Sequence, residues 1–162
     1  MVRIHVSSRA FEDGGTIPER CSRLGGNVSP PLSWSDVPVG TTELALVVQD
    51  PDAPSGTFTH WIVAGLTPDL AGLEEGHVPD GAVEGVNDFG EQGYGGPQPP
   101  AGDRPHRYVF TLVALEAESG LALGASIEDF HAAVWGKELA RGQLTGHYAT
   151  RVPDPGQQAH GG

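Results

Sequence analysis

Glu43-Leu44-Ala45-Leu46-Val47-Val48-Gln49-Asp50 is a nearly unbroken apolar run that halts at Pro51. A strand with one wet face alternates apolar and polar residues, whereas a strand covered on both faces does not. The run therefore predicts a central strand, buried on both sides and stopped where proline removes a ladder donor. Phe58 to Leu66 reads as its neighbour, with Phe58, His60 and Ile62 on one face and Thr59, Trp61 and Val63 on the other. Arg107 to Glu116 gives another central strand, carrying Tyr108, Phe110, Leu112 and Ala114 on one side and Val109, Thr111, Val113 and Leu115 on the other. These strands make the fold mainly β.

Outward from these strands the signals weaken. Val2 to Ser7 alternates and is followed by the turn Asp13-Gly14-Gly15, which predicts an edge strand or hairpin. Gly25 to Pro31 is an irregular loop leading to a short apolar anchor, Leu32-Ser33-Trp34. Thr67 to Pro105 has little periodicity and is rich in Gly, Pro, Asp and Glu, the kind of long connection that often carries function. Ser126-Ile127-Glu128-Asp129 has capping-box spacing, and Ile127, Phe130 and Val134 share a helical face before Gly142 supplies a stop. Gln143 to Arg151 returns as a last strand, and Val152 to Gly162 has the composition of a disordered tail. One domain over residues 1–151 is expected from a chain of 162 residues.

Composition excludes some functions. With 21 acidic against 9 basic residues and no basic cluster, a net charge of −12 repels nucleic acid and anionic membrane surfaces. Cys21 is the single cysteine, so neither an internal disulfide nor a thiolate metal site is available. The N-terminus lacks the apolar core of a signal peptide and no run is long enough to span a bilayer, which gives the expectation of a cytoplasmic protein without membrane insertion.

The residues that could do chemistry fall in two segments. Asp50-Pro51-Asp52-Ala53-Pro54 puts two carboxylates at the exit of the buried strand, about 6 to 7 Å apart between Cα atoms if extended. The prolines stiffen the segment, and Ala53-Pro54 admits a cis bond. His106 and Tyr108 share a face after the turn-rich Gly95-Gly96-Pro97-Gln98-Pro99-Pro100, whose backbone N–H groups are expected to be free. A carboxylate beside His60 or His106 would keep donors aimed at an anion. Singly, each feature has a commoner structural explanation: Asp-Pro starts turns, a histidine among apolar residues is often a hydrogen-bonded core residue, and a strand tyrosine packs. No His-x-His, His-Glu-x-x-His or Gly-x-Ser-x-Gly pattern occurs, so neither a metal nor a serine nucleophile is expected.

Jointly, four motifs resemble the phosphatidylethanolamine-binding protein family, also called Raf kinase inhibitor-like proteins, in its bacterial branch. They are Gly26-Asn27-Val28-Ser29-Pro30-Pro31-Leu32-Ser33-Trp34; Asp50-Pro51-Asp52-Ala53-Pro54 with His60-Trp61; Tyr94-Gly95-Gly96-Pro97-Gln98-Pro99-Pro100 with His106-Arg107-Tyr108; and Leu144-Thr145-Gly146-His147-Tyr148. The resemblance implies an antiparallel Greek-key β-sandwich with one late α-helix. It also implies a pocket for phosphate, a phosphorylated head group of a phospholipid or a carboxylate, lined by Asp50, Asp52, His60, Gly96, Pro97, His106 and Tyr108. No cofactor is implied; a protein partner such as a kinase or protease is, and a homodimer is admitted. The Pro- and Gly-rich chain after Arg151 departs from the C-terminal helix that closes the pocket in eukaryotic relatives, so kinase inhibition is not carried over with it. The expected function is anion binding without catalysis; the alternative is an enzyme of small metabolites using His60, Asp52 and His106 for acid–base chemistry.

Overall fold

A computed structural model describes residues 3–151, so the tail from Val152 onward, with the domain boundary expected there, lies outside the described residues. The strands form two antiparallel sheets. The smaller has the order β1-β2-β5, made of His5–Ser7, Leu32–Ser35 and Gly72–Leu73. The larger has the order β6-β4-β3-β7-β8, made of Val83–Glu84, Phe58–Leu66, Glu43–Asp50, His106–Leu115 and Glu138–Tyr148. The long excursion between β4 and β7 brings β7 back beside β3, which gives the sandwich its Greek-key character. Among the described residues no helix is long and apolar enough to cross a membrane.

The unbroken apolar run of β3 has its explanation in two cores. Leu44, Leu46 and Val48 face the small sheet and pack with Val6, Leu32, Trp34, Phe110 and Leu112. Ala45 and Val47 face the opposite way, into a second cluster with Ile62, Val113, Leu115 and Phe130. Helix α1, Ile127–Val134, supplies Phe130 and so dries the outer face of the large sheet. Its capping box is present: Ser126 Oγ accepts from Asp129 N at 3.0 Å, and Asp129 Oδ2 accepts from Ser126 N at 3.0 Å.

Helix α1 ends earlier than its sequence pattern predicts. The chain leaves the helix at Trp135 and turns at Gly136, whose φ of +76° is the left-handed conformation favoured by glycine. Gly142, expected to stop the helix, lies inside β8, which starts at Glu138 and is longer than predicted. A Cβ on Gly142 would sit 2.0 Å from the Ile4 carbonyl oxygen, so this glycine serves the close approach of the segment leading into β1.

Candidate functional site

Antiparallel pairing brings the C-terminal end of β3 beside the N-terminal ends of β4 and β7. Asp50 pairs with Phe58, and Gln49 with Val109, so Asp50, His60, His106 and Tyr108 collect at one end of the large sheet. His60 needs one more device. Val48 pairs with Trp61 but Gln49 with Thr59, so His60 is the extra residue of a β-bulge. The expected alternation of β4 therefore breaks. Trp61 packs in the sandwich interior, and the His60 ring meets Tyr108 at 5.1 Å and Phe58 at 4.9 Å between centroids. A strict period of two would have sent His60 out with Ile62 towards α1.

These residues enclose a cavity of about 240 Å³. Asp50, Ser55, His60, Gln98, His106 and Tyr108 form its polar part, while Pro54, Phe58, Phe89, Pro99 and Pro100 form apolar walls. Phe89 is held from behind by the Arg23 guanidinium, 3.8 Å from its ring centroid, and edge-on to Phe58 at 4.7 Å.

His106 is clamped by two carboxylates. Its Nδ1 lies 2.7 Å from Asp50 Oδ2 and its Nε2 lies 2.9 Å from Asp103 Oδ2. A carboxylate only accepts, so both ring nitrogens donate and the ring is an imidazolium. Burial presses the His106 pKa down, but the hydrogen bonds and charges of Asp50 and Asp103 outweigh it, and the net shift is upward. Asp50 is itself fixed, its Oδ1 accepting from Asp52 N at 2.7 Å. His60 is the converse. Burial lowers its pKa, and its Nδ1 lies 2.6 Å from the Gly95 carbonyl, which can only accept. Nδ1 thus carries the proton and Nε2 is left as an acceptor. Burial, then the charge of Asp50, pushes the Tyr108 phenol far up, so it stays protonated.

Several expected lining residues sit elsewhere. Asp52 is outside the cavity wall; its carboxylate takes the Arg107 side chain at 2.9 and 3.0 Å and the Arg107 backbone N–H at 2.9 Å. These bonds hold its pKa down at about 2. An i, i+2 pair shares a direction only in extended backbone, and a turn at Pro51 separates the two aspartates. Gly96 and Pro97 are also outside the lining, where Gln98, Pro99 and Pro100 stand instead. Two of the loop N–H groups expected to be free are engaged: Gly95 N donates to the His60 carbonyl at 2.9 Å and Gly96 N to Asn27 Oδ1 at 2.7 Å. Gly96 is glycine because a Cβ there would lie 2.2 Å from the Cys21 carbonyl oxygen. Asn27, in the left-handed region at φ +55°, thus ties the Gly26-to-Trp34 motif to the glycine loop. Among the described residues no peptide bond is cis, Ala53-Pro54 included. The buried Cys21 thiol is pushed up to about 11 by burial, which makes it a structural group.

Sequence reasoning missed Phe58 and Phe89 in the cavity lining, and Asp103, which holds His106 from outside that lining. Asp103 had a local signal, three residues before His106 across Pro105; Phe89 had none, because only the path of the long loop brings it to β4.

The sequence and the fold are matched by relatives. A profile of the phosphatidylethanolamine-binding protein family covers residues 7–149. The chain belongs to that family. A UPF0098 protein of Methanothermobacter thermautotrophicus is 47% identical over 150 residues, which span 90% of this chain and 98% of that one. The structure of a phosphatidylethanolamine-binding protein homologue from Chlamydia trachomatis superposes with a TM-score of 0.86 at 38% identity, covering 93% of this chain and all of the other. Escherichia coli YbcL, described as a member of the mammalian family, superposes at 0.87 with 32% identity, over 92% and 99% of the two chains. The chain is thus a bacterial-type member of the phosphatidylethanolamine-binding protein family.

Proposed function

We propose that the cavity at this end of the large sheet holds a small anionic ligand, of the phosphate, phosphorylated head group or carboxylate kind, and that the protein is a non-catalytic binding module. One observation carries the reading: a buried imidazolium, His106, anchored from behind by a buried carboxylate, Asp50, in a cavity with otherwise mostly apolar walls. A charged donor in a dry site attracts an anion far more strongly than one in water. Asp50 fixes the ring through Nδ1, and Nε2, which Asp103 Oδ2 takes at 2.9 Å, is the donor for which an anion would compete, with the protonated Tyr108 beside it. Asp52, Gly96 and Pro97 act at one remove, shaping the rim and the loop that carries Pro99 and Pro100. Calorimetric titration with inorganic phosphate, phosphoethanolamine and acetate at pH 6 tests this. Binding that weakens at least about tenfold in His106→Ala is expected, as for loss of a charge-assisted hydrogen bond. No binding by the wild type, or equal binding by the variant, removes the reading.

A specific observation favours a second reading. His60 is shifted down and His106 up within one cavity, and opposed shifts are how acid–base pairs are poised. In an enzyme His60 would be the base and His106 the acid; Asp52, grouped with them from sequence, is engaged by Arg107 at the rim. Metabolite screening separates the readings, since turnover lost in His60→Ala would make the protein an enzyme.

A further inference from the structure

We propose that Asp103 is an internal occupant of the anion seat, a carboxylate of the protein's own that leaves His106 Nε2 when an external monocarboxylate with an apolar body takes its place. The inference rests on the anion-binding reading of the cavity and concerns what regulates that site and which anion it prefers. Both carboxylates on His106 make good charge-assisted bonds, at 2.7 and 2.9 Å, but they are not alike. The Asp50 side chain is 4% exposed and fixed by a second bond from Asp52 N, so it cannot leave. The Asp103 side chain is 40% exposed, and among the described residues His106 is the sole hydrogen-bond partner of its carboxylate.

Asp103 also sits on a suitable carrier. It follows Ala101-Gly102 in an exposed turn, its backbone N–H donating to the Pro100 carbonyl at 3.2 Å with Gly102 at φ +90°. Pro99 and Pro100, just before the turn, wall the cavity. A swing of this side chain into water therefore uncovers a donor at the cavity edge without disturbing β7. The pair is exposed on the Asp103 side alone, since the His106 side chain is 5% exposed, so this carboxylate leaves when another anion takes its place on the buried ring.

The exchange also defines the ligand. With Asp50 and Asp103 ionised and His106 protonated, the cluster carries one net negative charge. Replacing Asp103 by a monocarboxylate keeps that charge; phosphate bound as the dianion adds to it in a site of low dielectric. At pH 6 inorganic phosphate is mainly the monoanion, and its wholly polar and strongly hydrated body still sets it behind an anion with an apolar body. The walls formed by Pro54, Phe58, Phe89 and Pro99 then favour a carboxylate with an apolar body.

Calorimetry at pH 6 with acetate, phenylacetate and inorganic phosphate, on the wild type, Asp103→Ala and Asp103→Asn, tests this. Both variants are expected to bind acetate and phenylacetate at least about fivefold tighter than the wild type, because the bond from the buried His106 to Asp103 no longer competes. Phenylacetate is expected to bind tighter than either acetate or phosphate. Glu116→Gln removes the same charge at the far end of β7 and is expected to change nothing. Nitrogen-15 spectra supply a readout independent of affinity, with the His106 imidazole titrating at lower pH in Asp103→Ala. Wild-type binding that is unchanged or weaker in the Asp103 variants, equal tightening in Glu116→Gln, a preference for phosphate, or an unmoved His106 titration overturns the inference alone. No binding of any anion by any of the proteins overturns the anion-site reading and the inference with it.

Discussion

Asp50→Asn probes the pair on which the site depends. Asp50 and His106 are each 5% exposed or less in their side chains and lie 2.7 Å apart. Breaking a buried pair by neutralising one partner costs about 3–5 kcal/mol when the other charge is left uncompensated, and here Asp103 at 2.9 Å still pairs with His106 Nε2. Asparagine keeps the shape and one acceptor, so a loss of about 3 kcal/mol at pH 6 is expected, at the lower end of that range. For a urea slope of about 2 kcal/mol/M the unfolding midpoint falls by about 1.5 M. The loss depends on pH. His106 is held above its ordinary value, so the charge-dependent part is complete below the unfolded histidine pKa of about 6.5 and drains away as pH rises through the higher folded value. Urea unfolding of both proteins at pH 6 and pH 9 is the assay, with a smaller gap expected at pH 9. A gap below about 1 kcal/mol at pH 6, the size of an exposed pair, or one that is equal at the two pH values, would refute the reasoning.

Other perturbations test other joints. In Arg107→Ala the Asp52 carboxyl is expected to rise from about 2 towards its ordinary value of about 3.9, read by carbon-13 titration. Because the Asp52 pair is partly exposed, the accompanying stability loss is expected to stay under about 1 kcal/mol, present at neutral pH and vanishing as pH falls through about 2. Gly142→Ala forces a Cβ to within 2.0 Å of the Ile4 carbonyl oxygen, and the clash is with backbone. A destabilisation of about 3 kcal/mol, with loss of exchange protection at Ile4 N, is expected from overpacking of this kind. Anion affinity is expected to fall as pH rises through the raised His106 value, because only the imidazolium presents a charged donor; calorimetry across pH 6 to 9 checks it.

The central strands were legible because their signal is local and redundant. Every residue from Leu44 to Val48 is buried, so no register of the run could mislead. His60 is where the pattern failed, since a bulge leaves no mark in a single sequence and alternation assigned the histidine to the wrong face. The helix was placed by its cap, but its end was set by Gly136, while Gly142 answered to a tertiary approach at Ile4 that periodicity cannot register. That Asp50, His106 and Tyr108 meet at one cavity was readable because antiparallel register carries strand ends together. Asp52 lies outside the cavity lining because a turn, and the fork of Arg107, draws it to the rim. The N–H groups of Gly95 and Gly96 are likewise drawn to partners distant in sequence, the His60 carbonyl and Asn27. Asp103, which completes the His106 cluster, depended on a turn whose path only the folded chain defines.

Imidazole spectra recorded while acetate and inorganic phosphate are titrated in at pH 6 test the anion seat most directly. If His106 is the seat, its Nε2 resonance moves saturably with ligand and His60 follows across the shared cavity, while His131 and His147, outside the cavity lining, stay still. A His106 resonance that does not move, or moves no more than those of His131 and His147, would contradict anion binding at this site.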